Sequence, residues 1–365
     1  MTKTPTKRLL SLDALRGFDM FWITGGEEIF HLLAKTTGWG WAVLMAEQLT
    51  HPEWNGFRAY DLIFPTFLFM AGVSTPYSLN NLTSMNRTDY AKKAIKRGLI
   101  LVLLGIIYNN GLELKPLAEM RFPSVLGRIG LAGMLAQLTY IYFNTRSQYI
   151  IFVSILLGYW AFVMLVPVPG CGVGLMTIDC NPVSFLDHSI LPGRLHKTIH
   201  DPEGLISTIP AIGTGLLGIF AGNILRLERS GQQKTIILLQ IAICCLALGW
   251  AWNFVFPINK NLWTSSFVLF AGGWSTLLLG VFYWIIDVKN YSRYAWILAV
   301  IGMNSILIYL CQHFIDFNYS SNAVFGGIFK YFSEPNQEVL GAVGYVIVQW
   351  FLFYLLYKNK IFLKV

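Results

Sequence analysis

Residues 234–254 read KTIILLQIAICCLALGWAWNF, and Lys234 is the only charge among them. A helix rises 1.5 Å per residue, so about 20 apolar residues cross a hydrocarbon core of about 30 Å. The run is continuous and lacks the polar–apolar alternation of a barrel strand. Working outward, comparable runs occupy 10–33, 61–80, 95–112, 125–143, 148–166, 205–225, 264–286, 296–314 and 340–357; only the first is strongly interrupted, by Arg16, Asp19, Glu27 and Glu28. Composition agrees: 55% of the 365 residues are hydrophobic and 13% charged, where a soluble domain carries about a quarter charged residues. The sequence therefore predicts an all-α polytopic membrane protein of about ten transmembrane helices. It reads as one domain over 1–365, with no repeat, low-complexity tract or soluble module.

Lys and Arg favour the cytoplasmic side of short loops. With the N-terminus inside, the cytoplasmic cations run from Lys3, Lys7 and Arg8 through the Arg87–Arg97 cluster to Lys358, Lys360 and Lys364. They number seventeen, against eight on the opposite face. An even number of spans returns the C-terminus to the cytoplasm, so count and charge agree. The net charge of +8 is then an insertion signal, and no nucleic-acid partner is expected; the lipid bilayer is. MTKTPTKRLL leads into a charged helix without a small-residue cleavage site, so no signal peptide is expected. The two long connections, 34–60 and 167–204, fall outside. Cys171 and Cys180 share the second, where an oxidising compartment allows a disulfide. Cys244, Cys245 and Cys311 lie in spans and read as small packing residues.

Ionisable groups inside spans are costly, so each implies a partner or a task. Asp13, Arg16 and Asp19 recur every three residues in SLDALRGFDMFW, on one helix face. They are either a self-neutralising cluster or a guanidinium held ready for a phosphate. Arg128, in SVLGRIGLAG, has no acid within four residues, so its partner is an acid of another span or a ligand. In GMNSILIYLCQHF, the residues Asn304, Ser305, Gln312 and His313 give an apolar helix a polar side, for helix packing or for a ligand. HDPEGLISTIP reads as an N-cap at Asp201 with Pro202 at the first helical position and Glu203 near the positive helix end. HPEWNGFRAYDLIFP, residues 51–65, admits two readings. Asp61 caps the second span while Trp54 and Tyr60 anchor it at the interface. Alternatively His51 takes a proton, with Asn55, Glu53 or Asp61 fixing its tautomer. No HExxH, paired CxxC, P-loop or GxSxG pattern is present, so no metal is expected and nucleotide or serine-hydrolase chemistry lacks a motif.

HPEWNGFRAYDLIFPTFLFMAG, VLGRIGL, DPEGLISTIPAIGTGLLGIFAG, PINKNLW and GMNSILIYL occur in this order. Together they resemble the heparan-α-glucosaminide N-acetyltransferase family. The chain looks like a compact bacterial member, without the extra N-terminal luminal domain and one span of the lysosomal enzyme. The resemblance implies transmembrane acetylation in the bacterial inner membrane. Cytoplasmic acetyl-CoA would supply the acetyl group, and a glucosamine-type amine on the far side would accept it. The family's active-site histidine lies in its His-x-x-Trp-Asn-Gly stretch, which carries over onto His51. A homodimer is also plausible from the family.

On that footing Asn55, Glu53 and Asp61 are candidates to orient His51. Arg16 and Arg128, with Asp19, Asn304 and Ser305, are candidates for donor contacts, and Trp54, Glu203 and His313 for the amino sugar or glycan end. His51 would act as general base, or carry the acetyl group itself in a two-step route. The rival reading is a transporter of an amino sugar or its N-acetyl form, which ten spans, Gly-rich helices and midspan polar groups also fit.

Overall fold

The computed structural model describes residues 9–79, 86–113 and 115–363; Lys3, Lys7, Arg8 and Lys364 of the charge count lie outside them. Among the described residues the regular elements are helical. They are α1 (Leu10–Phe21), α2 (Glu27–Thr37), α3 (Gly40–Gln48), α4 (Ile63–Ser78), α5 (Arg87–Asn110), α6 (Val125–Tyr142), α7 (Thr145–Leu165) and α8 (Pro182–Ile190). There follow α9 (Thr208–Leu225), α10 (Gly231–Trp252), α11 (Ser265–Tyr283), α12 (Ser292–Gly302), α13 (Ser305–Phe314), α14 (Phe317–Phe329) and α15 (Glu334–Lys358). Short polar side chains start them by satisfying orphan N–H groups. Ser124 accepts from Gly127 N, Asn144 from Ser147 N and Asn181 from Ser184 N. Ser230 and Gln233 form a reciprocal capping box on α10. Both long connections contain a helix, α3 in 34–60 and α8 in 167–204. Cys171 and Cys180 are joined in a disulfide with Cα atoms 5.8 Å apart.

Among the described residues five helices are long and apolar enough to cross a membrane unaided: α7, α9, α10, α11 with its extension to Val288, and α15. A sixth arises if α12 and α13, bent by 51°, form one span. The chain is thus a multi-pass membrane protein. The expected ten spans are not reached by this measure, for physical reasons. The 10–33 run breaks where Thr24 and Gly25 leave helical geometry, so α1 and α2 have only 12 and 11 residues. Helix α4 has 16 residues. Helix α5 has 24, but its first half carries Arg87, Asp89, Lys92, Lys93, Lys96 and Arg97. Helix α6 has 18 and loses hydropathy to Arg128 and Gln137.

The chain forms two compact units. The first combines the segment up to His51, Arg58–Ile63 and the segment from Leu278 onward; the second combines Pro52–Phe57 with Phe64–Leu277. In the first, α1 packs against α12 so closely that a methyl group on Gly17 or Gly302 would overlap the carbonyl of Leu298 or Asp13. In the second, α9 is buried along most of its length. It meets α4 where Gly72 faces the Gly215 carbonyl and Gly218 the Phe69 carbonyl. Small residues let membrane helices approach in this way, and backbone contact then replaces side-chain interdigitation.

Candidate functional site

The first unit organises His51. Helix α3 ends at Gln48, and a 3₁₀ turn over Ala59–Leu62 leads into α4. Arg58 ties the two together: its guanidinium donates to Thr50 Oγ1, approaches the His51 carbonyl at 3.4 Å and lies 3.5 Å from Glu47. Asp61, fully buried, spends one carboxylate oxygen on the Arg58 N–H at 3.0 Å. The other lies 2.6 Å from His51 Nδ1. Asp61 therefore closes the 3₁₀ turn that precedes α4 and contacts the histidine. A carboxylate at Nδ1 fixes the tautomer protonated there, directs the ring's lone pair to Nε2 and stabilises an imidazolium if one forms. The His51 side chain is 48% exposed. Its ring lies 4.9 Å from that of Tyr60, whose phenol hydrogen-bonds Glu27. Burial, reinforced by Glu27, raises the Tyr60 pKa and keeps it a neutral donor.

The residues between His51 and Arg58 belong to the second unit. Trp54 donates its indole N–H to the Met176 carbonyl at 2.6 Å and meets the His200 ring edge-on at 5.1 Å. Asn55 accepts from Asn259 Nδ2 at 3.0 Å, and Gly56, at φ +123°, donates to the Ile258 carbonyl at 2.8 Å. Glu53 is exposed. Trp54 and Asn55 thus fasten this stretch to 176–200 and to PINKNLW, while Asp61 lies against His51 Nδ1.

The second unit also contains a buried charge cluster. Arg121 grips Asp201 with two hydrogen bonds, Nε at 2.8 Å and Nη2 at 2.7 Å, and bonds Glu203 as well. The N-cap reading of Asp201 needs correction: α9 begins at Thr208, with Ser207 before it. Asp201 instead closes a turn, accepting from the Glu203 and His196 N–H groups. Burial works against its charge, yet the Arg121 bonds win and hold its pKa below the usual carboxylate range. Burial likewise opposes the charge of Arg121, but Asp201 and Glu203 outweigh it and raise that pKa. Asp187 accepts from Ile206 N at 3.0 Å. Burial pushes its pKa up to about 6, against N–H bonds from Ile206 and Leu205 and the charge of Arg128. His200 is buried, neither ring nitrogen has a hydrogen-bond partner among the described residues, and burial followed by Lys197 lowers its pKa.

Arg128 is the largest charged side chain among those fully buried. One amino group donates to Ser207 Oγ and to the Gly204 carbonyl at 3.2 Å. Its guanidinium lies 4.8 Å from the Trp263 ring centroid, a cation–π arrangement. Nε and Nη1 have no hydrogen-bond partner among the described residues. The acids acting on it are Glu203, Asp187 and Asp201, through the field rather than by contact.

The remaining candidates stand apart. Arg16 pairs with Asp13 at 3.7 Å, and Asp19 is buried with no hydrogen-bond partner for Oδ2 among the described residues. Asn304, at the α12–α13 bend, donates to the Ile361 carbonyl and accepts from Leu363 N, tying down the chain's end; Ser305 opens α13. His313 is exposed against Phe314. Sequence reasoning passed over Glu27, Arg121, Asp187 and His200. Of these only Glu27, an acid inside an expected span, carried a signal.

A family model described as heparan-alpha-glucosaminide N-acetyltransferase, catalytic, matches residues 8–249. The chain is similar to two curated proteins named heparan-alpha-glucosaminide N-acetyltransferase. It is 28% identical to that of Homo sapiens over 378 residues, covering 86% of this chain and 55% of the relative. It is 25% identical to that of Mus musculus over 378 residues, covering 86% and 56%. The chain spans about half the length of these curated relatives.

Proposed function

Since the chain belongs to the heparan-α-glucosaminide N-acetyltransferase family, we propose that it moves an acetyl group from cytoplasmic acetyl-CoA to the amine of a glucosamine-type sugar on the external face. The observation that carries this reading is the 2.6 Å contact between His51 and buried Asp61. It lies inside the matched region, and it is the arrangement a proton-accepting histidine needs. The reading includes ten spans with both termini cytoplasmic, which puts His51 outside, and a place in a bacterial inner membrane as a homodimer.

An amino sugar reaches the site as an ammonium and must lose a proton before its lone pair can attack a thioester carbonyl. His51 Nε2 takes that proton, and the Asp61 carboxylate balances the imidazolium. As the new C–N bond forms the C–S bond breaks, and the thiolate leaves with the proton that His51 returns. The second ammonium proton is lost to solvent as the amide forms. The products are the N-acetyl sugar, free CoA and one proton. Acetyl-CoA supplies only the acyl group and its thiol leaving group. For its phosphates Arg16 is the candidate contact, and for an amide carbonyl of its pantetheine arm Arg128, whose Nε and Nη1 are unbonded donors.

Protein reconstituted in vesicles, given acetyl-CoA at the cytoplasmic side and glucosamine outside, is expected to form N-acetylglucosamine outside. Sugar uptake independent of acetyl-CoA, with no acetylated product, would replace the enzyme by a transporter. Protein labelled by radioactive acetyl-CoA alone would replace the general base by an acetyl-histidine.

A further inference from the structure

The first unit holds a cavity of about 590 Å³ with walls from α2, α13, α14 and the start of α15. Its volume lies within the range of roughly 300–1,000 Å³ typical of small-molecule sites. The cavity owes its shape to the break at Thr24–Gly25. Gly25, at φ +112°, packs on the Tyr345 ring so closely that a side chain there would strike it. Gln312 donates to the Ile23 carbonyl at 3.2 Å, at the same break.

The lining has a definite chemistry. Three carboxylates, Glu27, Glu28 and Glu338, face it, with four carboxamides, Gln312, Asn318, Asn322 and Gln337, and the ring of Tyr345. Among the described residues no Lys or Arg lines it. The nearby Lys35 is spent on Glu338 at 2.8 Å. Such a wall repels the phosphates of a nucleotide donor. It suits a cation that carries hydroxyl groups, with carboxylates for an ammonium, amides for hydroxyls and an aromatic face for sugar C–H groups. Two further polar groups lie one helical turn from lining residues. Among the described residues Asp19 Oδ2, four residues before Ile23, has no hydrogen-bond partner, nor does either amide atom of Gln349, four after Tyr345; both side chains are buried. Glu27 connects the cavity to His51, because its carboxylate bonds the Tyr60 phenol and the Tyr60 ring lies 4.9 Å from that of His51.

We propose that this cavity seats the acceptor, binding the ammonium and hydroxyls of the amino-sugar end beside His51. This rests on the acetyltransferase reading for the identity of the sugar, while the site itself is defined by its lining. Most of the polar wall comes from residues 312–345, beyond the span 8–249 of the family match.

The test uses the full chain in nanodiscs, with equilibrium binding of radiolabelled glucosamine without donor, and steady-state KM for glucosamine and acetyl-CoA. Gly341→Trp fills the cavity, and a Cβ there meets nothing within 4 Å. Glu27→Gln removes one charge without removing bulk. Each is expected to weaken glucosamine binding and raise its KM by about tenfold or more, the loss of one charge-assisted hydrogen bond, with the acetyl-CoA KM unchanged. Wild type that binds glucosamine without acetylating it, and variants that do not bind it, would uphold the cavity and remove the transferase reading. Variants with wild-type glucosamine binding and KM would overturn the cavity while leaving acetyl transfer standing. Wild type that neither binds nor acetylates glucosamine would overturn the proposal.

Discussion

Replacing Asp61 by Asn changes one atom and inverts one hydrogen bond. Asn keeps an oxygen for the Arg58 N–H, now 3.0 Å from the carboxylate, so the turn into α4 is retained. Its NH₂ group then faces His51 Nδ1 across the 2.6 Å contact. Two donors cannot share that line, so the imidazole must move its proton to Nε2, the nitrogen needed to receive the substrate's proton. A general base contributes about 10²–10⁴ in rate, and the wrong tautomer in a protease triad costs about 10⁴. His51 is 48% exposed, so its ring is free to turn and recover part of the loss. The expected fall in kcat is therefore about 10²–10³, or about 3–4 kcal/mol of barrier. It would be measured as N-acetylglucosamine formed in vesicles, with the thermal midpoint confirming the fold. His51→Ala should lose at least as much, and the double variant no more than His51→Ala alone, because the acid acts through the histidine. An Asp61→Asn rate within about threefold of wild type, under 1 kcal/mol, would refute the reasoning. So would a double variant whose losses multiply.

The Asp187 pKa of about 6 stands above its unfolded value near 3.9, so the fold binds a proton that the unfolded chain releases in between. Stability should fall as pH rises from about 4 to 6, by on the order of 3 kcal/mol at about 1.4 kcal/mol per pH unit, then level off. Asp187→Asn should flatten that slope in thermal midpoints taken from pH 4 to 7. Arg121→Ala strands the buried Asp201 carboxylate and should cost about 3–5 kcal/mol in chemical unfolding, with Arg121→Met plus Asp201→Asn recovering much of it. Gly218→Val drives a side chain into the Phe69 carbonyl and should cost about 1–3 kcal/mol or more. Gly326→Ala, where a Cβ meets nothing, should instead stabilise α14 by up to about 1 kcal/mol.

How much of this was legible in the sequence depended on how far apart the cooperating residues lie. The 234–254 run declares its helix through its own residues, and α10 spans Gly231–Trp252. The 10–33 run does not, because the break depends on Gly25 adopting φ +112° against Tyr345, some 320 residues later. His51 and Asp61 are ten residues apart, close enough for their pairing to be weighed from spacing. Asp201 misled for the opposite reason. The local pattern Asp-Pro-Glu fits a helix cap, and only Arg121, 80 residues earlier, turns the carboxylate into one arm of a buried ion pair. Arg128 was marked as needing a partner, but a serine hydroxyl and a backbone carbonyl are partners that no charge pattern announces.

Distance along the chain also explains why Glu27 looks, in the sequence alone, like a flaw in a span. Taken alone, an acid on a membrane helix is only a cost of several kcal/mol. Taken with Tyr60, it becomes a hydrogen-bonded group, and with Gln312 and Gln337 it becomes part of a polar wall. The chain break beside it then has a purpose. An unbroken helix over 10–33 would carry its polar groups along a regular stripe. Ending α1 at Phe21 and restarting at Glu27 sets Glu27 and Glu28 on the first turn of a new helix. There the positive end of the helix dipole favours their charge. The irregular backbone lines a cavity, the setting in which a membrane protein tolerates it. The feature that most weakens the first run as a membrane span is thus also the one that gives the unit containing His51 a polar cavity.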